Sequence, residues 1–436
     1  MPRIVFAALV AAAVAAPAAA DQVLYVTAAV PNRVEGFCLG PNGGIALRPV
    51  FQQDTVENPR RLLIPNKPDG SPGDVLYVAG KHKVESFLIK TNGGLERIGV
   101  TADLHNANPF DLAVNAARTH LYVPHRAAGR IEAYPLDPVT GAILGGDMTS
   151  CARLPSDVNL QDLETSDLPG FEVLYATAST AFFSGGKRGR IDVFQLTNGE
   201  LPDLYDENVD PEGAFRCGNP DATTTSTTTS TSSTSLTTLT TTVTTTSTST
   251  TIDTRITQPL STRKKLRGPG PFVLAGEFLY VYDVITRRII EFQLSGGLFT
   301  DEKQPRVAAS DEVGRLLDLI MIEEPGARTL LGAADNLGRV RAFALKDDGG
   351  FPTRVPKRPK RDTQKVIGSS PVRIRTATSA TGELVLYIPG GEINQIYAHH
   401  IGGRLLPIPK AFSKTEKRTA TFPNDAAVAE IAGTCP

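Results

Sequence analysis

Apolar and charged residues alternate along this chain in short runs, and the runs recur. One phrase reads basic, aliphatic, two variable positions, aromatic. It appears as Arg33-Val34-Glu35-Gly36-Phe37, Lys83-Val84-Glu85-Ser86-Phe87, Arg130-Ile131-Glu132-Ala133-Tyr134 and Arg190-Ile191-Asp192-Val193-Phe194. It continues as Arg288 to Phe292 and Arg339 to Phe343, and a degenerate copy runs Gln395-Ile396-Tyr397-Ala398-His399. A period of two is the signature of a strand. Before each copy stands a second run ending in Leu-Tyr, with tyrosines at 25, 77, 122, 175, 280 and 387 and Leu331 in the sixth slot. A glycine turn follows each copy: Asn42-Gly43, Asn92-Gly93 and Asn198-Gly199 are dipeptides suited to positive φ in a two-residue hairpin. Another strand precedes each Leu-Tyr and is often opened by a proline, as at Pro59, Pro109, Pro155, Pro271 and Pro371.

Four short antiparallel strands, repeated seven times, predict an all-β, seven-bladed β-propeller. The first Leu-Tyr comes too early for a leading strand of its own. The last segment, Pro423-Asn424-Asp425-Ala426-Ala427-Val428, reads like Pro109-Phe110-Asp111-Leu112-Ala113-Val114 but has no Leu-Tyr after it. The C-terminus is therefore expected to give blade one its innermost strand and the N-terminus the other three, which removes an open sheet edge. Blades 1–4 fall in 21–222 and blades 5–7 with the closing strand in 252–436.

Two segments stand outside the repeat. Arg3, the apolar run Ile4 to Ala16 and Ala18-Ala19-Ala20 read as a signal peptide over 1–20, cleaved near Ala20. The stretch 223–251 holds 19 Thr and 7 Ser in 29 residues, too little apolar content to order itself. It reads as a disordered insertion, either O-glycosylated or a bare spacer. No other stretch could cross a bilayer. The chain is thus expected outside the cytoplasm, periplasmic or secreted, as a monomer. Export makes the four cysteines disulfide candidates. The topology pairs Cys38 with Cys435 and Cys151 with Cys217.

A net charge of −1 gives no general drive toward nucleic acid. Basic clusters at 263–267 and 357–361 read as solvated loops, with an acidic glycan as the other reading. No haem, zinc, calcium, phosphate-loop or nucleophile-elbow motif is present, so neither cofactor nor metal is expected. His399 stands in an aromatic slot and reads as packed. The loop after the third Leu-Tyr carries His125 and Arg126; His82 and Asp335 hold the same loop in blades two and six. Inner-strand charges at Arg60, Arg61, Asp111, Asp157, Asp318, Arg373, Arg375 and Asp425 share that face. Two readings follow. The charges solvate or cross-link a channel that binds a protein, glycan or small molecule, with His82, Phe182, Phe183 and Asp335 as contacts. Alternatively, His125 is a base, Arg126 or Arg373 stabilises an oxyanion, and Asp111 assists in opening a cyclic ester. Phe182 and Phe183 form either a lip over the channel or a staple holding their loop down.

The run from His120-Leu121-Tyr122-Val123-Pro124-His125-Arg126 to Gly141-Ala142-Ile143 resembles the repeat of lactonase-type seven-bladed propellers. That group is similar to bacterial 6-phosphogluconolactonases and to surface proteins with Tyr-Val-Thr-Asn repeats, which Leu24-Tyr25-Val26-Thr27 resembles. The resemblance spans all seven repeats and implies Arg, His and Glu side chains around the channel. Its matched positions are strand cores and turns, so it speaks to fold more than to activity. Export sets this chain apart from the cytoplasmic sugar-phosphate lactonases. The favoured expectation is a binding or interaction role in the cell envelope, with lactone hydrolysis as the alternative.

Overall fold

The period-two runs pair as antiparallel strands in the order in which they occur. The computed structural model describes residues 21–104, 109–126, 129–154, 158–168, 171–180, 189–202, 266–299, 306–309, 316–322, 330–335, 340–346, 348–351, 361–362, 373–390, 395–401, 405–407, 413–414 and 423–436. The expected signal peptide at 1–20, the Thr/Ser tract at 223–251, Asp157, Phe182, Phe183 and Cys217 lie outside these. The fold is an all-β propeller of small antiparallel sheets. Numbered along the chain, their Leu-Tyr strands are Asp21–Ala28, Val75–Ala79, His120–His125, Phe171–Thr180, Phe278–Asp283, Leu330–Asp335 and Leu384–Gly390. The repeat predicts four strands in every copy, and six sheets have four or more. The fourth sheet has three among the described residues, Val158–Leu168, Phe171–Thr180 and Gly189–Leu196.

The ring closes as the sequence predicts. Ala426–Ile431 pairs with Asp21–Ala28, placing Ala427 opposite Tyr25, and forms the leading strand of the first sheet. Cys38, in the third strand of that sheet, is bonded to Cys435 with Cα atoms 5.9 Å apart. The Cys435 N–H donates to Asp21 Oδ2 at 2.8 Å. Cys151 is also disulfide-bonded.

Strands in this fold are covered on both faces, because each sheet stands between two others. Every residue of Leu384–Gly390 and of His120–His125 is buried. Seven apolar clusters fill the seams, one between each neighbouring pair of sheets. Burying apolar side chains at about 25 cal/mol per Å² is the main stabilising term here.

The recurrent tyrosines have a specific task. Each hydroxyl crosses a seam and donates to a turn-glycine carbonyl of the next sheet. Tyr25 reaches Gly93 at 2.6 Å, Tyr77 reaches Gly141 at 2.7 Å and Tyr122 reaches Gly199 at 2.7 Å. Tyr175 reaches Gly297, Tyr280 reaches Gly349 at 2.5 Å, and Tyr387 reaches Gly43 at 3.0 Å across the ring closure. Glycine is required at the receiving end. A Cβ on Gly43, whose φ is +78°, would lie 2.5 Å from Val385 Cγ2 and 3.0 Å from the Tyr387 hydroxyl. The turns themselves differ from expectation. Of the three Asn-Gly turns, Asn198-Gly199 alone is a two-residue hairpin, with both φ angles positive and Thr197 bonded to Glu200 in both directions. At Asn42-Gly43 and Asn92-Gly93 the loop has three residues. Gly40 bonds Gly43 and Gly44, Lys90 bonds Gly93 and Gly94, and the Asn Oδ1 caps the N–H two residues on. This is a type I turn closed by a glycine bulge.

Candidate functional site

The leading strand of each sheet is an edge strand, so alternate N–H groups have no ladder partner. The leading strands of neighbouring sheets touch around the axis. There a side chain from one leading strand can serve an N–H of the next, which is what four aspartates do. Asp425 Oδ2 accepts from Leu62 N at 3.0 Å, and Asp111 Oδ2 from Leu163 N at 2.9 Å. Asp162 Oδ2 accepts from Phe272 N at 3.1 Å, and Asp318 Oδ2 from Ile374 N at 2.8 Å. An orphaned buried N–H would cost about 1–3 kcal/mol.

Three arginines neutralise the aspartates. Arg61 Nε lies 2.5 Å from Asp111 Oδ1, and its Nη1 lies 3.0 Å from Asp425 Oδ2. Arg373 Nη1 donates to Asp318 Oδ1 at 3.0 Å and lies 3.5 Å from Asp162 Oδ1. Its Nη2 donates to the Phe110 carbonyl at 2.9 Å. Arg375 lies 3.1 Å from Asp425 Oδ1 and 3.5 Å from Asp318 Oδ2. Arg373 belongs to the seventh sheet, whereas Asp162 and Phe110 belong to the fourth and third, so its side chain spans the axis. All four aspartates are at most 5% exposed. At this level the axis is filled by a charged plug.

Three guanidiniums face four carboxylates. The Asp111 and Asp162 carboxyls are close enough to couple, and a proton on one would let it donate to the other. Burial pushes Asp162 well above the usual carboxylate range, and the adjacent Asp111 charge pushes it further. Burial would also raise Asp111, but Arg61, the Asp162 hydrogen bond and Arg373 outweigh it and hold Asp111 low. Of the two, Asp162 is the one that favours its protonated form, which eases the excess of carboxylates over guanidiniums.

Glu164, two residues beyond Asp162 on the same leading strand, has no arginine beside it among the described residues. Its Oε2 accepts from Leu274 N at 3.2 Å, and burial lifts its pKa to about 8. Nearby, Phe110 is flanked by two guanidiniums: Arg126 lies 4.2 Å and Arg60 5.5 Å from its ring centroid, both within cation–π range.

Six residues named from sequence meet here: Arg61, Asp111, Asp318, Arg373, Arg375 and Asp425. His125 does not join them. Expected in a loop, it is the last residue of His120–His125, and Nε2 lies 2.6 Å from Glu132 Oε2. Glu132 also accepts from the Tyr134 hydroxyl at 2.6 Å and pairs with Arg130 at 2.7 Å. Burial would raise this carboxylate, but His125, Arg130 and Tyr134 together hold it low. Glu132 occupies the buried acidic position that Glu35 and Asp192 hold in their own sheets beside Arg33 and Arg190. The His125 contact thus sits in the body of the third sheet. Arg126 instead stacks on Phe110. His82 lies 3.8 Å from Glu57 and 3.7 Å from Asp103. Asp335 ends its strand opposite Leu316.

Sequence reading missed Asp162 and Glu164. A register shift between Leu160 and Asp162 moves the functional slot beyond the proline-based spacing that singled out Asp157. The alternation Asp162-Leu163-Glu164 was the available signal. Among the described residues no cluster of side chains could hold a metal, and no helix is long and apolar enough to cross a membrane.

No family model and no curated protein matches the sequence. Solved structures do match the fold. A candidate 6-phosphogluconolactonase from Bacteroides fragilis superposes with a TM-score of 0.60 at 15% identity, over 95% of this chain and 99% of that one. A second, from Bacteroides uniformis, gives 0.57 at 14%, over 94% and 99%. The periplasmic gluconolactonase of Pseudomonas aeruginosa gives 0.57 at 13%, over 94% and 99%. At these identities the likeness is one of fold: the chain is a β-propeller, similar in architecture to these solved structures.

Proposed function

We propose that the protein is an exported, seven-bladed, lactonase-type propeller that binds a ligand at its channel mouth in the cell envelope. One observation carries the binding reading: the arginines and aspartates at the axis satisfy one another. Arg373 is held by Asp318 and the Phe110 carbonyl, and Asp111 by Arg61 and Leu163 N. A guanidinium engaged in this way is not poised for a developing oxyanion. Beyond the plug, the Arg60–Phe110–Arg126 stack offers a cationic, aromatic surface. The Cys38–Cys435 bond suits an oxidising compartment, and the Pseudomonas neighbour is itself periplasmic.

Lactone opening is the second reading, and Glu164 favours it. A carboxyl that keeps its proton near neutrality can serve as general acid. A panel of sugar lactones assayed with wild type, Glu164→Gln and Arg373→Met separates the two. The binding reading expects no turnover above buffer. It also expects sugar acids and acidic glycans to raise the melting temperature of wild type but not of Arg60→Ala. Hydrolysis of any lactone that Glu164→Gln abolishes overturns it in favour of the enzyme.

A further inference from the structure

Six seams of the ring share one design. The tyrosine of one sheet and the aromatic of the next meet in the same apolar cluster: Tyr25 with Phe87, Tyr77 with Tyr134, Tyr122 with Phe194. The same holds for Tyr175 with Phe292, Tyr280 with Phe343 and Tyr387 with Phe37. The seam between the sixth and seventh sheets departs at both positions. Its tyrosine slot is Leu331, which has no hydroxyl to donate to a turn. Its aromatic slot is His399, which is 6% exposed and has neither ring nitrogen hydrogen-bonded.

His399 shares a strand face with Tyr397 and Ile401 and stands opposite Leu386. Ionisable groups around it are few. Tyr397 gives its hydroxyl to Gln395. From the sixth sheet come Ile320, Ile322 and Val340. Asp318, at the axis end of that sheet, is committed to Arg373, Arg375 and Ile374 N. Arg341 shares the face of Phe343, turned toward the fifth sheet. The strand Leu330–Asp335 carries one ionisable residue, Asp335, at its end, and Leu405–Pro407 carries none. His400 is on the opposite face, beside Glu383 at 3.3 Å. Among the described residues no acid is placed to pair with an imidazolium at this seam.

We propose that the seam between the sixth and seventh sheets is a built-in opening point, released when His399 is protonated. At neutral pH the imidazole is a neutral apolar filler. Its charged form would be buried without a partner, which a packed seam does not tolerate. Opening lets water reach the ring and exposes the faces of both sheets. Burial pushes the His399 pKa down to about 4 from the ordinary 6.5. The closed seam is therefore at full strength above about pH 6.5 and weakens as pH falls through 4. The device does not depend on which ligand the channel takes.

Hydrogen–deuterium exchange of the intact protein, corrected for the intrinsic pH dependence of exchange, tests this. Between pH 7 and pH 4, Leu384–Gly390, Gln395–Ile401 and Leu316–Ile322 should lose protection on the order of 100-fold relative to the first three sheets. His399→Phe, which restores the aromatic pattern, should abolish that acid-specific loss; His399→Leu serves if the larger ring is not accepted. Leu331→Tyr should raise protection of the same strands at pH 7. Equal protection of all sheets at pH 4 would overturn the proposal, as would an acid loss that persists in both His399 variants.

Discussion

Two belts hold the sheets together, and they work by opposite means. At the turn end, neutral tyrosine hydroxyls each cross one seam to one glycine carbonyl. At the axis, charged side chains each serve several partners, and Arg373 spans the ring to Asp162. The first belt is a set of contacts each confined to its own seam, although the Tyr280 hydroxyl also meets Glu291 Oε2 at 3.0 Å. The second is a single network whose members share charge. Removing a member of the first should cost little and act locally. Removing a member of the second leaves buried charges uncompensated, so its cost should be large and non-additive.

The strongest way to break this contrast is Asp111→Ala. It leaves Arg61 with Asp425 alone, orphans the Leu163 N–H and removes the carboxylate beside Asp162. Urea unfolding should show a loss of about 3–5 kcal/mol. Arg61→Met in the same chain should then cost much less than Arg61→Met alone; simple additivity would contradict a shared network. The next largest effect concerns pH. Glu164 titrates at about 8 in the folded protein against an ordinary 4.5, so the fold binds its proton more tightly than the unfolded chain does. Its penalty is absent below about pH 4.5, grows as pH rises, and is complete above 8. Glu164→Gln should therefore stabilise by about 3 kcal/mol at pH 8.5 and by nearly nothing at pH 4.5. Parallel melting curves at the two pH values would disprove this assignment.

In the turn belt, Gly43→Ala should cost about 2–3 kcal/mol, because it combines a positive φ with a clash against Val385. Smallest of all, Tyr122→Phe should cost about 1–2 kcal/mol, leaving the Gly199 carbonyl without its partner. Combining Tyr122→Phe with Tyr25→Phe, two seams away, should give a loss within about 0.5 kcal/mol of the sum. Strong coupling between them would erase the distinction between the belts.

How far the sequence led follows the same division. The turn belt was legible because each contact uses fixed positions in every repeat, so Leu-Tyr and the turn glycine could be counted. Their bonding across seams was not legible, since period-two alternation does not say which sheet a residue faces. The axis network was half legible. Arg61, Asp111, Arg373 and Asp425 follow prolines at one spacing, whereas Asp162 is displaced by a bulge that leaves no mark in the residue types. The placing of His125 in a loop was wrong for another reason. Strands buried on both faces lack the polar alternation that shows where a strand ends, so a buried final residue looked like the first residue of a loop.

The tyrosine bond also has a direction: donor on one repeat, acceptor on the next. That is the polarity of a head-to-tail interface in a cyclic assembly, where the number of subunits follows from the rotation between neighbours. A lone repeat would keep one unfilled donor and one unfilled acceptor, and could propagate into a filament. Within one chain, the same polarity makes each junction a candidate for new termini, provided the present ends are joined. Cys38 and Cys435 already join one end of the chain to the sheet that begins it. A circularly permuted chain cut between the second and third sheets should therefore assemble the same ring.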